Sequence, residues 1–286
     1  MKTESELTVE AMAVAVEDGP PYLPVGEFPT DPEKLWEVLD EWAERAPAEL
    51  RQVIERMGTG WAAVVIEFLS SVAAHIDIPK PVLRMLSVRA DGTEIAEAAL
   101  AALGAPRQPQ PLLLVQATAD RDTTAMLLPR LVHELAWPVT EELGVTHLGC
   151  SGGTAILDML AWWVDPRVGA TVIIVDQPQF VAADRLPERL SAVALRFGAT
   201  GPLEVLGCGT EGSSGNVDYR FTGPGACGGW LDLHRALGNP RLRGGDRIVV
   251  QSRADDQAGW GLIRCKSVIG GRPLWWRPPV RVTGSR

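Results

Sequence analysis

A single cysteine sits between a short apolar run and an apolar helical stretch, in Gly144-Val145-Thr146-His147-Leu148-Gly149-Cys150-Ser151-Gly152-Gly153. A thiol in the first turn of a helix meets unpaired backbone N–H groups and the positive end of the helix dipole, and both favour the thiolate. Thiolates attack acyl carbons without a dedicated base, and the small neighbours leave room for an acyl group. The same N–H groups can hold an oxyanion. Cys150 is therefore the candidate nucleophile, with Ser151 and Gly152 as candidate oxyanion or acyl-binding positions. The competing use of cysteine at a helix start is as a small buried hydrophobe.

Few other residues offer matching chemistry. Cys150, Cys208, Cys227 and Cys265 form no CxxC pair and have no histidine at zinc-ligand spacing, so neither a metal site nor a disulfide framework is expected. His147 lies three residues before Cys150 on an expected strand, where the two side chains point to opposite faces. His234 lies over two turns into a late helix and is the candidate base for Cys150. His75 and His133 fall in helical stretches and read as ordinary packing or surface residues. The glycines of 223–229 come without a Lys-Ser/Thr signature, so they read as a turn and not as a phosphate cradle. Trp162 and Trp163 are expected in the core or on a dimer face.

The elements that must position Cys150 follow an α/β rhythm. TVEAMAVAVE at 8–17 reads as a first strand, and GPPYLPVGEFP breaks it. Helical spacing starts at Asp31-Pro32 and recurs through 47–57 and 61–75. Then come a helix at 92–103, a buried strand in PLLLVQATA, a helix near 123–135, a short strand at 146–148, a helix over 151–163 and a strand at 170–176. Residues 207–229 look like a loop, followed by a helix at 230–237 and strands at 246–252 and 259–268. Strands alternating with helices predict a largely parallel sheet covered by helices.

Bulk properties narrow the partners. The formal net charge is -9, from 27 basic and 36 acidic residues, which disfavours nucleic acid or an anionic membrane surface as a ligand. The apolar runs fall well short of the ~20 residues of a membrane helix. The N-terminal MKTESELTVE has no apolar signal core, so a reducing cytoplasm is the expected compartment.

Several segments together resemble ketoacyl synthase III enzymes of the thiolase superfamily. GCSGGTAILDMLAWWV followed by ATVIIVDQ is similar to that family's nucleophile strand-helix-strand. EIAEAALAALGAPRQPQPLLLVQATADRDT resembles the helix and strand leading to it, and RFGATGPLEVL the FGDGAGAXVL segment. NPRLRGGDRIVVQSRADDQAGWGLIR resembles the closing GRIKPGDXVLLXGFGAGXTWGAXXXR. The resemblance covers 9–20 and 86–268. It implies an α/β, thiolase-like αβαβα sandwich with a truncated second repeat. It further implies a thiolase-like half at 1–206 with a helical insert at about 31–80, and a shortened half at 207–286.

The resemblance also shows what is missing. The family's decarboxylation histidine would fall in the short linker between Leu206 and Gly223, and its asparagine on Gly223. The glycine-rich oxyanion loop is replaced by Arg253-Ala254-Asp255-Asp256-Gln257, which leaves Ala254 as the candidate oxyanion contribution there. Two readings result. In one, an acyltransferase moves an acyl group from a coenzyme A or acyl carrier protein thioester through Cys150 to an acceptor in specialised metabolism, with no resident cofactor and no metal. In the other, a non-catalytic subunit pairs with a full-length synthase. The resemblance implies a homodimer or such a heterodimer.

Overall fold

The computed structural model describes residues 7–18, 22–24, 84–86, 95–116, 127–133, 135–146, 148–176, 189–210, 216–238, 242–254, 257–266 and 277–282. The chain divides into two compact units. The smaller takes 19–93, 178–188 and 283–286, and in it β2 (Tyr22–Pro24) pairs antiparallel with β3 (Arg84–Leu86). The helices expected over 31–80 lie outside the described residues. The larger unit carries everything that follows.

Its strands are β1 (Thr8–Asp18), β4 (Gln110–Gln116), β5 (Val139–Val145), β6 (Ala170–Asp176), β7 (Arg189–Gly198), β8 (Leu203–Gly209), β9 (Tyr219–Pro224), β10 (Arg247–Ala254), β11 (Gln257–Cys265) and β12 (Val280–Val282). They join in the order β5-β4-β6-β7-β1-β8-β11-β10-β9, with β12 on β1. The order contains a repeat. β1 runs antiparallel to β7, β7 antiparallel to β6, and β6 parallel to β4, which β5 flanks in parallel. Likewise β8 runs antiparallel to β11, β11 antiparallel to β10, and β10 parallel to β9. Among the described residues, β5 is the one strand of the first copy with no counterpart in the second.

The repeats meet where β1 pairs with β8 at Thr8↔Glu204 and Val9↔Leu203. Thr8 fastens the turn between β7 and β8: its Oγ1 donates to Gly198 O at 2.8 Å and accepts from Gly201 N–H at 2.6 Å. A Cβ on Gly201 would lie 2.1 Å from Val9 O, so this crossover tolerates glycine only.

Helices α1 (Ile95–Leu103) and α2 (Leu127–His133) are linked by an Arg130–Glu97 ion pair. α1 packs on β1, β6 and β7 and α2 on β5. Helices α3 (Gly152–Trp163) and α4 (Gly228–Leu237) lie inside. α3 touches β4 from the first repeat and β8, β10 and β11 from the second, while α4 touches β9, β10 and β1. Strand periodicity divides the burial. Leu113, Val115, Val172 and Ile174 join Ile156, Leu160, Trp230, Leu233, Val250 and Ile263 in one core, and Leu112, Leu114, Ile173 and Val175 are buried on the alternate face. The described residues thus build four layers of the expected sandwich: helices, sheet, helices, sheet.

Three expectations need correction. The strand before Cys150 spans 139–145 instead of 146–148. It is an edge strand with mostly exposed side chains, so polar VTEEL hides it from a reading based on apolar runs. The supposed loop at 207–229 contains β9, whose half-buried Tyr219 and Phe221 alternate with exposed residues. And the sheet is mixed, not largely parallel, because β7 and β11 reverse direction.

Candidate active site

The chain reaches Cys150 through Gly149, whose φ of 52° favours glycine. Residues Gly149–Ser151 form one 3-10 turn and α3 follows directly, with Gly152 N–H donating to Gly149 O. Ser151 Oγ donates to Leu148 O at 2.7 Å, and Thr154 Oγ1 to Ser151 O at 3.1 Å. Cys150 is buried, with 5% of its surface exposed.

Glycines press this turn into the interior. A Cβ on Gly259 of β11 would stand 2.3 Å from Thr154 Oγ1 and 3.0 Å from Ser151 Cα. A Cβ on Gly152 would meet Val115 Cγ1 at 3.0 Å, and one on Gly153 would meet Ala226 O at 2.0 Å. The turn packs on β10 and β11. The structure therefore brings Cys150, Ser151 and Gly152 to the strand pair in which Ala254 closes β10 opposite Gln257. Asp255, Asp256 and His147 lie outside the described residues.

His234 is placed differently. It is buried on α4, and its Nε2 donates to Arg277 O at 2.7 Å, ahead of β12. Burial is the main cause that pushes its pKa down to about 4, opposed by that bond, with the nearby Arg235 charge adding a smaller downward push. The ring is therefore neutral, with Nε2 occupied and Nδ1 as the acceptor nitrogen. At Gly223, where the resemblance sets the family's asparagine, a Cβ would lie 2.6 Å from the Gly228 backbone. No side chain fits there.

The head of α4 holds a feature that reading the sequence missed. Gly149-Cys150-Ser151-Gly152-Gly153 is matched by Gly225-Ala226-Cys227-Gly228-Gly229. Gly225 is also left-handed, with φ 70°. Ser151 has φ -70° and ψ -18°, and Cys227 φ -81° and ψ -23°. The two turns are copies, so Ala226 stands where the first repeat has Cys150. In the second copy the N–H groups of Ala226 and Cys227 donate to the two carboxylate oxygens of Asp176, at 2.9 and 2.7 Å. This turn is thus seen holding a carboxyl group on two adjacent N–H donors. Burial pushes the Asp176 carboxyl up, and the N–H donors work against that. Burial, then the Asp176 charge, pushes the Cys227 thiol well up. The duplication was legible as G-x-x-G-G twice, while an acid ending an apolar strand gave no sign of its partner 50 residues on.

The architecture defines a class. The chain has the thiolase-like fold, with a second repeat lacking its outer strand among the described residues. Solved structures share this fold. ChlB3, described as an acyltransferase, superposes with a TM-score of 0.55 at 11% identity, covering 94% of this chain and 99% of that one. PksG, an HMG-CoA synthase from Bacillus subtilis, gives 0.51 at 11% identity over 91% and 80%. A variant of OleA from Xanthomonas campestris gives 0.50 at 12% over 92% and 99%. No family model and no curated protein matches the sequence. Among the described residues, no helix is long and apolar enough to cross a membrane.

Proposed function

We propose that the protein is an acyltransferase that carries an acyl group on Cys150. The supporting observation is the duplicated turn: its second copy holds a carboxyl group on two adjacent N–H groups, and its first copy carries the Cys150 thiol at the position of Ala226. Cys150 thiolate attacks the carbonyl carbon of a coenzyme A or carrier-protein thioester, forming a new C–S bond. The oxyanion faces the N–H groups of the turn, then collapses to expel the carrier thiolate, which takes a proton from water. An amine, alcohol or thiol acceptor next attacks the acyl-cysteine and regenerates the Cys150 thiolate. The acceptor's proton leaves to water. Ser151 and Gly152 shape the acyl end, with Ala254 on the facing strand. Acyl transfer is favoured over decarboxylating elongation because the resemblance leaves no counterpart for the family's histidine, and packing at Gly223 leaves no room for its asparagine.

A second reading rests on the missing counterpart of β5: a shortened subunit that pairs with a full-length synthase. Intact mass after incubation with acyl-coenzyme A or acyl carrier protein separates the two. An acyl adduct that disappears in Cys150→Ala supports transfer. An adduct found only on a co-purified synthase supports the subunit reading and overturns the first.

A further inference from the structure

We propose that Asp176 is a positioning residue for Cys150, acting across the boundary between the repeats. It rests on the reading of Cys150 as the reactive thiol, but its first readout needs no acyl transfer.

Asp176 ends β6 in the first repeat, while its two hydrogen-bond donors, Ala226 and Cys227, open α4 in the second. A Cβ on Gly225 would stand 2.5 Å from Asp176 Oδ2, so the left-handed glycine lets the turn close on the carboxylate. Ala226 is also the residue against which α3 is set. Its carbonyl oxygen lies where a Cβ on Gly153 would have to be, and Ser252 Oγ donates to that oxygen at 3.2 Å. One turn along α4, Trp230 Nε1 donates to Gly153 O at 2.7 Å. Asp176 thus holds Ala226, and Ala226 and Trp230 hold Gly153, three residues from Cys150.

Every joint in that chain involves backbone, so displacement at one end passes to the other with little side-chain slack. Replacing the carboxylate by an amide keeps the shape but turns one acceptor into a donor facing an N–H. The α4 turn must then shift or rotate, carrying Ala226 and Trp230 with it.

The test follows the rate of Cys150 alkylation by iodoacetamide against pH, read by peptide mass, in wild type, Asp176→Asn and Leu112→Ala. Leu112 is buried on the face of β4 opposite Val115, so its truncation destabilises the fold without touching the chain of contacts. The expected result for Asp176→Asn is a pH midpoint displaced by at least half a unit and at least a tenfold loss of acyl-adduct formation. Leu112→Ala keeps the wild-type midpoint. An unmoved midpoint in folded Asp176→Asn overturns the proposal. If that variant does not fold, Trp230→Phe decides: it removes the bond to Gly153, and an unmoved midpoint there is equally fatal. A displaced midpoint with no acyl adduct even in wild type sustains the positioning role while removing the acyltransferase reading.

Discussion

Gly153→Ala is the sharpest perturbation of the contact on which Cys150 depends. The new Cβ would lie 2.0 Å from Ala226 O and 2.9 Å from Ala226 C. Both obstacles are backbone, so no rotamer relieves them. Separation by more than about 1 Å is needed to reach ordinary contact. Overpacking of this kind costs roughly 1–3 kcal/mol, here near the upper end. Moving the helices apart also stretches the Trp230 bond to Gly153 O, and an unsatisfied buried donor costs about 1–3 kcal/mol. Alanine returns about 1 kcal/mol through helix propensity. The net loss is about 3–5 kcal/mol. At roughly 2–4 °C per kcal/mol for a domain of this size, the melting temperature falls by about 10 °C. Thermal and urea unfolding should be measured beside Gly207→Ala, because a Cβ at Gly207 meets nothing within 4 Å. Equal stability of the two variants would refute the packing argument.

Two further outcomes follow from burial. His234 has a folded pKa of about 4 against an ordinary 6.5, so the unfolded chain binds its proton first as pH falls. Its stabilising contribution is present above pH 6.5 and is lost as pH drops toward 4, by at most about 3 kcal/mol, and His234→Gln should flatten urea midpoints measured over that range. Cys227 is 0% exposed and its thiol is pushed well up, so it should resist iodoacetamide in the folded protein and react on unfolding, as peptide mass mapping would show.

What was legible in the sequence divides along physical lines. Leu112–Val115 and Ala170–Asp176 announced themselves because strands buried on both faces are continuously apolar. The glycine-led turn into α3 was legible because its residue types are constrained locally. β5 was misplaced because an edge strand with one solvated side carries glutamates where inner strands carry leucines. The pairing of Asp176 with Ala226 and Cys227 was invisible for a different reason. It joins residues 50 and 51 apart through backbone N–H groups, which every residue type supplies and no composition reveals.

The repeat also explains how a shortened second half is compatible with an intact turn at Cys150. Among the described residues, the first repeat passes from β4 to β6 through α2, β5 and α3, whereas the second passes from β9 to β10 through α4 alone. One helix-strand unit is absent there, and its first-repeat counterpart, β5, lies at the rim of the sheet. The packing that seats Cys150 draws on inner elements. Gly259 and Ser252 belong to the inner strands β11 and β10, Asp176 to β6, and Ala226 and Trp230 to the head of α4. Close-packed backbone contacts between inner elements are costly to alter, while an edge strand adds mainly its own ladder and one covered face. Losing the rim unit therefore spares the thiol and its N–H groups, and removes only what that unit carried. The capture of an acyl group proposed for Cys150 needs only the first set.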